Sequence, residues 1–217
     1  MNLSCSNQKC RALTIKEVLV VIAILAMLVV LLVPVMANAR MKAQKITCAN
    51  HLMQMGSSFN VLENDRGHQF PMSTSTNSGV TLEYGGSGEI FRYFQVMSNK
   101  LSTPAIFVCP SDTREPAKNF GPSFGNTNIS YFINLDATTS DPQRLLMGDD
   151  NFEIGSVPVE SGWLEISTNQ QIAWSAKRHR FVGNIALADG SVSSFDNFIL
   201  TTQLHQSGLV TNRLAIP

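Results

Sequence analysis

Residues 11–40 read RALTIKEVLVVIAILAMLVVLLVPVMANAR, and the reading of this run decides the rest of the chain. Between Val18 and Ala37 there is no charged side chain, and Pro34 is the one conformational interruption. At about 1.5 Å of rise per residue, a helix over this stretch is about 30 Å long, the thickness of a bilayer core. A cleaved secretory signal has a shorter apolar region and a small-x-small exit site. Ala37 and Ala39 in VMANA supply such a site, so a removed signal stands as the alternative to a membrane helix, which the length supports. Positive charge is nearly balanced across the run, with Lys9 and Arg11 before it and Arg40, Lys42 and Lys45 after it. Charge counting therefore leaves topology open.

Glu17 carries more information. A carboxylate at a bilayer boundary is disfavoured unless paired, which makes it a functional candidate. Lys16 is its chain neighbour, but adjacent helical residues do not face each other. Cleavage before Leu13 would create an α-amino group within one turn of Glu17, in the same chain or facing a neighbouring copy.

The segment ALTIKEVLVVIAILAMLVVLLVP, Ala12 to Pro34, resembles the prepilin cleavage and methylation segment of type IV pilins and type II secretion pseudopilins. In that family a short polar leader ends in a small residue, usually glycine. The mature chain starts with an apolar residue, has threonine second and glutamate fifth, and often has proline twenty-second. With Leu13 as first, Thr14, Glu17 and Pro34 fall at those positions. Ala12 stands where glycine is usual, and Lys16 where the family has an apolar residue. The resemblance implies processing between Ala12 and Leu13 by a prepilin peptidase, assembly with like subunits through Glu17, and a kink at Pro34. It also implies a single-pass protein of a bacterial inner membrane, its amino terminus cytoplasmic and its C-terminal domain periplasmic or at the cell surface.

Totals limit the other classes. Among 217 residues, 16 basic and 16 acidic side chains cancel, giving no support for a nucleic-acid partner, which calls for a basic surplus. Beyond Pro34, Met41, Cys48, Leu52, Met55, Phe59 and Leu62 keep to one face of an amphipathic helix. That helix is expected to end near Gly67 and Pro71. Residues 72–88 read as a polar loop with at most a short strand, GEIFRYFQVM as a short helix, and AIFVCPSD as a brief strand running into a turn. NISYFINL and RLLMGDD suit short strands. GNIALADGSVSSF is the clearest hairpin, turning at Asp189–Gly190. The tail after Asn197 has no assigned structure. The expected organisation is a leader over 1–12, a transmembrane helix over 13–37, its amphipathic continuation over 38–66 and a β-rich globular domain over 67–217. The fold class is α+β, with a long N-terminal helix covering one face of a small antiparallel sheet.

Candidate chemistry is sparse. Cys48 and Cys109 follow the apolar run, and a disulfide between them would close a loop of roughly 60 residues, worth about 4 kcal/mol in the chain-entropy model. Two separate buried thiols are the alternative. Metal ligation by these two alone is not expected, since a zinc site takes three or four protein ligands. His179 with Asp189 and Gly190 forms H-x9-D-G. Together with CANHLMQMG at 48–56, CPSD at 109–112 and SYFIN at 130–134, this resembles one group of prepilin-like proteins, extending the likeness to about Phe195. His179 with Asp149, Asp150 or Asp189 could bind a divalent cation, and calcium on carboxylates is the one cofactor considered. The blander reading leaves His179 hydrogen-bonded and Asp189–Gly190 chosen for turn geometry. No H-E-x-x-H or phosphate-loop motif occurs, so no enzyme is expected. Phe91, Tyr93, Phe94, Tyr131, Trp163 and Trp174 are core candidates, the two tryptophans with a sugar platform as alternative. Two functions remain: a pseudopilin-like structural subunit of a secretion or pilus assembly, or a monomeric anchored module that binds a cation or glycan.

Overall fold

The computed structural model describes residues 14–65, 67–73 and 88–217. The expected leader and the Ala12–Leu13 processing point lie outside the described residues, as does most of the loop assigned to 72–88. Two compact units divide at Arg40 and Met41. Helix α1, Ile15–Asp65, runs through both and stays helical past Pro34.

In the first unit the apolar side chains from Val18 to Met36 are exposed all round. Such a surface is at home in lipid, and α1 is the helix among the described residues long and apolar enough to cross a membrane. Its N-terminus is closed by a capping box. Thr14 donates from N–H and Oγ1 to Glu17 Oε2, both at 2.7 Å, and Glu17 N–H returns a longer bond of 3.4 Å to Thr14 Oγ1. The signature T-x-x-E stands in the sequence at Thr14 and Glu17, and it satisfies donors that a helix start otherwise leaves open.

In the second unit, Cys48, Leu52, Met55, Phe59 and Leu62 are buried along one face of α1, as the spacing requires. The helix ends where expected. Gly67 takes a left-handed φ of 71°, and His68 N–H bonds back to Glu63 O at 3.0 Å, the closing bond of a Schellman motif.

Nine strands follow among the described residues. They are β1 (Tyr131–Asn134), β2 (Leu145–Asp149), β3 (Phe152–Ile154), β4 (Val157–Pro158), β5 (Gly162–Ser167), β6 (Ile172–Trp174), β7 (Gly183–Leu187), β8 (Val192–Phe195) and β9 (Thr211–Ile216). Six form an antiparallel sheet in the order β5-β9-β1-β2-β7-β8, and β4-β3-β6 form a second, smaller sheet. Helix α2 (Phe91–Gln95) is the short helix read from GEIFRYFQVM, and α3 (Asn197–Gln206) precedes β9.

The large sheet is covered on both faces, not one. Tyr131, Ile133, Met147, Ala186 and Ala215 belong to the core shared with α1. The alternate residues Phe132, Ile185, Leu214 and Ile216 join a second core with Phe152, Trp174 and α3. Two-sided burial explains why β1, β2 and β7 are buried at every position, like continuous apolar strands rather than alternating ones. Small residues on the helix side allow close approach. A Cβ built on Gly56 of α1 would come 3.8 Å from Gly190 Cα and 3.9 Å from Ala186 Cβ.

Three expectations are corrected. AIFVCPSD does not form a strand: Pro104–Phe107 is a 3-10 turn, begun by Pro104 and by Thr103, whose Oγ1 accepts from Ala105 N–H at 3.3 Å. The tail is ordered as α3 and β9, the latter lying between β5 and β1. The two tryptophans form no shared platform: Trp174 is 1% exposed in the second core, while Trp163 on edge strand β5 lies under the Arg213 guanidinium, 5.9 Å from its centroid.

Candidate functional site

Four chemistry-bearing side chains converge inside the second unit: Cys48, Cys109, Asp149 and His179. One donor atom from each lies within 4.8 Å of every other. Each arrives from a different element. Cys48 sits on the buried face of α1. Cys109 follows the 3-10 turn, held by the Phe107 ring, whose centroid is 5.4 Å from that of Phe94 and 5.5 Å from that of Phe124. Asp149 ends β2, and His179 lies on the connection between β6 and β7.

The contacts are short and dry. Cys48 Sγ donates to Asp149 Oδ1 at 3.2 Å and meets the Tyr131 hydroxyl at 3.1 Å. Cys109 Sγ lies 3.3 Å from His179 Nε2, and His179 Nε2 lies 3.6 Å from Asp149 Oδ2. Asp149 Oδ2 also accepts from Asn184 N–H at 2.7 Å and Asn184 Nδ2 at 3.1 Å. The side chains of His179 and Asp149 are 1% and 0% exposed.

Electrostatics divide the two thiols. Cys109 is lowered to about 6, first by its hydrogen bond with Cys48 and then by His179, against the opposing effect of burial. Cys48 is pushed far up by burial, with the Asp149 charge adding to it. His179 is raised above its ordinary value: burial opposes its charge, but the bond to Cys109 and the Asp149 carboxylate outweigh that. Burial raises Asp149, and His179 and Asn184 partly offset it. The shifts set the two thiols apart: the Cys109 sulfur is drawn toward the thiolate form beside His179, and Cys48 is held toward the thiol form.

The expected disulfide is not formed: Cys48 and Cys109 are both free and buried. One sulfur also meets Asp149 and Tyr131, the other His179, and the two sulfurs face each other. The carboxylates named as cation ligands do not gather either. Asp150 faces away from Asp149 and pairs with Arg178 and, at 2.6 Å, with Arg114. Asp112 completes that network, 2.7 Å from Arg178 and accepting from Ser130 Oγ at 2.6 Å. Asp189 is exposed in the β7–β8 turn, its Oδ1 accepting from Ser191 N–H at 2.8 Å, and Gly190 beside it takes a φ of 85°. The two ends of H-x9-D-G therefore do separate jobs. His179 enters the cluster before β7, and Asp189–Gly190 makes the turn after it.

Sequence reading singled out each of the four clustered residues, but in two unrelated groups, the cysteine pair and the histidine with its acids. It missed Tyr131 and Asn184 as supporting groups. Tyr131 stands within SYFIN and Asn184 within the hairpin segment, so their neighbourhoods were visible and their roles were not.

Comparison of the chain with protein-family models, with curated proteins and with solved structures returns no match.

Proposed function

We propose that this chain is a membrane-anchored structural subunit of the pseudopilin kind, serving a type II secretion or type IV pilus-like assembly. One observation carries the reading. A single helix of 51 residues is apolar and exposed over its first half and seated on an antiparallel sheet over its second. An anchored domain needs only a span. A helix that continues without a break gives each subunit a rigid apolar rod by which copies can pack side by side in lipid. The resemblance of the segment from Ala12 to Pro34 supports the same reading. In this reading residues 1–12 are a cytoplasmic leader, a peptidase cuts before Leu13, and the globular domain faces the periplasm or cell surface. The role is assembly rather than catalysis.

Glu17 is the element that distinguishes assembly from anchoring. Within its own chain it is held by Thr14 through the capping box. A carboxylate has acceptor capacity beyond those two bonds, so an α-amine at Leu13 of the same or a neighbouring copy can still reach it. Near lipid that pairing offsets a charge that would cost up to about 2.5–3.5 kcal/mol at the centre of a bilayer and less at its edge, and it sets the axial register between helices. Glu17→Ala is expected to abolish crosslinking between apolar helices in membranes while leaving insertion intact. Mass spectrometry of the mature protein is expected to find Leu13 at the N-terminus, methylated. A chain that still begins at Met1 and stays monomeric at native abundance points instead to the anchored binding module.

A further inference from the structure

We infer that Cys48, Cys109, Asp149 and His179 form a structural binding site for one divalent cation of the zinc class. The donor set comes first: two sulfurs, one imidazole nitrogen and one carboxylate oxygen. Sulfur and imidazole select borderline and soft metals, whereas calcium and magnesium take oxygen shells. This site has at most two carboxylate oxygens, one of them already occupied by Asn184.

Geometry comes second. With metal–sulfur distances of about 2.3 Å and metal–nitrogen or –oxygen distances of about 2.0–2.1 Å, the edges of a tetrahedron are about 3.3–3.8 Å. The separations here are 3.2 Å from Cys48 Sγ to Asp149 Oδ1, 3.3 Å from Cys109 Sγ to His179 Nε2 and 3.6 Å from His179 Nε2 to Asp149 Oδ2, and with one donor atom taken from each residue all four lie within 4.8 Å of one another. A cation drawn into their midst needs only small adjustments of four side chains that already face one another.

The surroundings are those of a closed, structural site. Cys48, Cys109 and Asp149 are 0% exposed, which leaves no open position for a substrate. Outer partners hold the ligands in place: the Tyr131 hydroxyl on Cys48, and two Asn184 donors on Asp149 Oδ2, which leaves Oδ1, the oxygen facing Cys48, for the cation. Two thiolates and a carboxylate leave a divalent ion with one net negative charge. The Arg178 guanidinium, itself paired with Asp112 and Asp150, also acts on Asp149 and Cys109.

A third observation is independent of the donors. His179 is delivered by a backbone segment in which Arg178, Arg180 and Phe181 take φ values of 61°, 53° and 62°. Non-glycine residues rarely adopt this region, and such runs persist where a site holds them. A disulfide accounts for less of this. It would use the two sulfurs and take from Asp149 its Cys48 donor and from His179 its Cys109 partner, leaving those two groups unused by the link. One cation engages all four groups and ties α1, the Cys109 segment, β2 and the strained loop together. The inference stands on the second unit alone and does not depend on the assembly reading.

The test uses the full-length chain, extracted from membranes in detergent after growth with zinc. Elemental analysis is expected to find about one zinc per chain. Replacement by cobalt is expected to give a tetrahedral spectrum with a thiolate-to-cobalt charge-transfer band. Asp149→Asn and His179→Gln are expected to weaken zinc retention at least about tenfold, the lower end of what even an outer partner's loss costs. The wild-type measurements decide the matter even if those variants fail to fold. Folded wild type that carries no metal, with its thiols either free or joined as a Cys48–Cys109 disulfide by mass, overturns the site. So does a cobalt form without the sulfur band.

Discussion

Gly183 is a residue where geometry leaves no choice. A Cβ at this position would lie 2.3 Å from two atoms of the Trp174 ring, far inside contact distance, and the ring is a flat, fully buried wall. Gly183→Ala is expected to cost about 1–3 kcal/mol, the range for overpacking a dense core, read as a lower melting temperature with disturbed near-ultraviolet tryptophan signal. Asp112 makes a prediction in pH. Burial pushes its carboxyl up, but Arg178, Ser130 and Arg114 together hold it below its ordinary 3.8. A depressed acid contributes stability above its unfolded value and loses it as pH falls through the lower folded value. Asp112→Asn is therefore expected to lower stability at neutral pH and to flatten the wild-type loss below about pH 4, as melts across pH 2–7 would register. At this scale the sequence named the right atoms and not their company. Cys48 and His179 are separated by most of the domain, and no local spacing brings them together. The T-x-x-E box at Thr14 and Glu17, by contrast, is a local pattern and was open to reading throughout.

Helix α1 was the most legible element because its signals repeat. The apolar run, the buried stripe and the glycine end each follow from side-chain period and backbone preference within a few residues. Its buried face can be tested by neighbours. Leu52 is 0% exposed and Met53 is 50% exposed. Leu52→Ala is expected to cost about 2–5 kcal/mol by opening a cavity between helix and sheet, whereas Met53→Ala changes stability by less than about 0.5 kcal/mol. Equal losses in thermal unfolding would mean that the helix presents a different face. Elsewhere, legibility followed locality. The Asp189–Gly190 hairpin was visible because its turn chemistry is contiguous. The apolar run AIFVC was read as a strand because periodicity cannot separate a buried strand from a buried turn in so few residues. Pro104 behind the Thr103 cap was the signal that should have decided it.

Across the whole molecule, the part hidden from sequence is the strand order. β9 ends the chain, yet it lies inside the sheet, paired with β5 from Gly162↔Ile216 to Ser167↔Thr211 and with β1 at Ile133↔Ala215 and Asn134↔Leu214. Nothing in TNRLAI says which strands it will join, since pairing partners lie far away in the chain and are chosen by the faces left to cover. The consequence is a dependence of the sheet on its last residues. Leu214 and Ile216 fill the second core, Ala215 fills the first, and Arg213 is bonded to Asp136 through Nε at 2.8 Å and through its backbone N–H at 2.8 Å. Removing residues 209–217 would strip three side chains from two cores, leave the buried edge of β1 without a partner and detach β5. An unpaired inner edge is both unstable and prone to join another chain. The truncated protein is expected to be degraded or aggregated, with no protease-resistant domain, while removal of Pro217 alone, which lies outside β9, leaves that domain intact. A resistant fragment of full domain size from the longer truncation would show that β9 is an accessory strand and that the sheet closes without it.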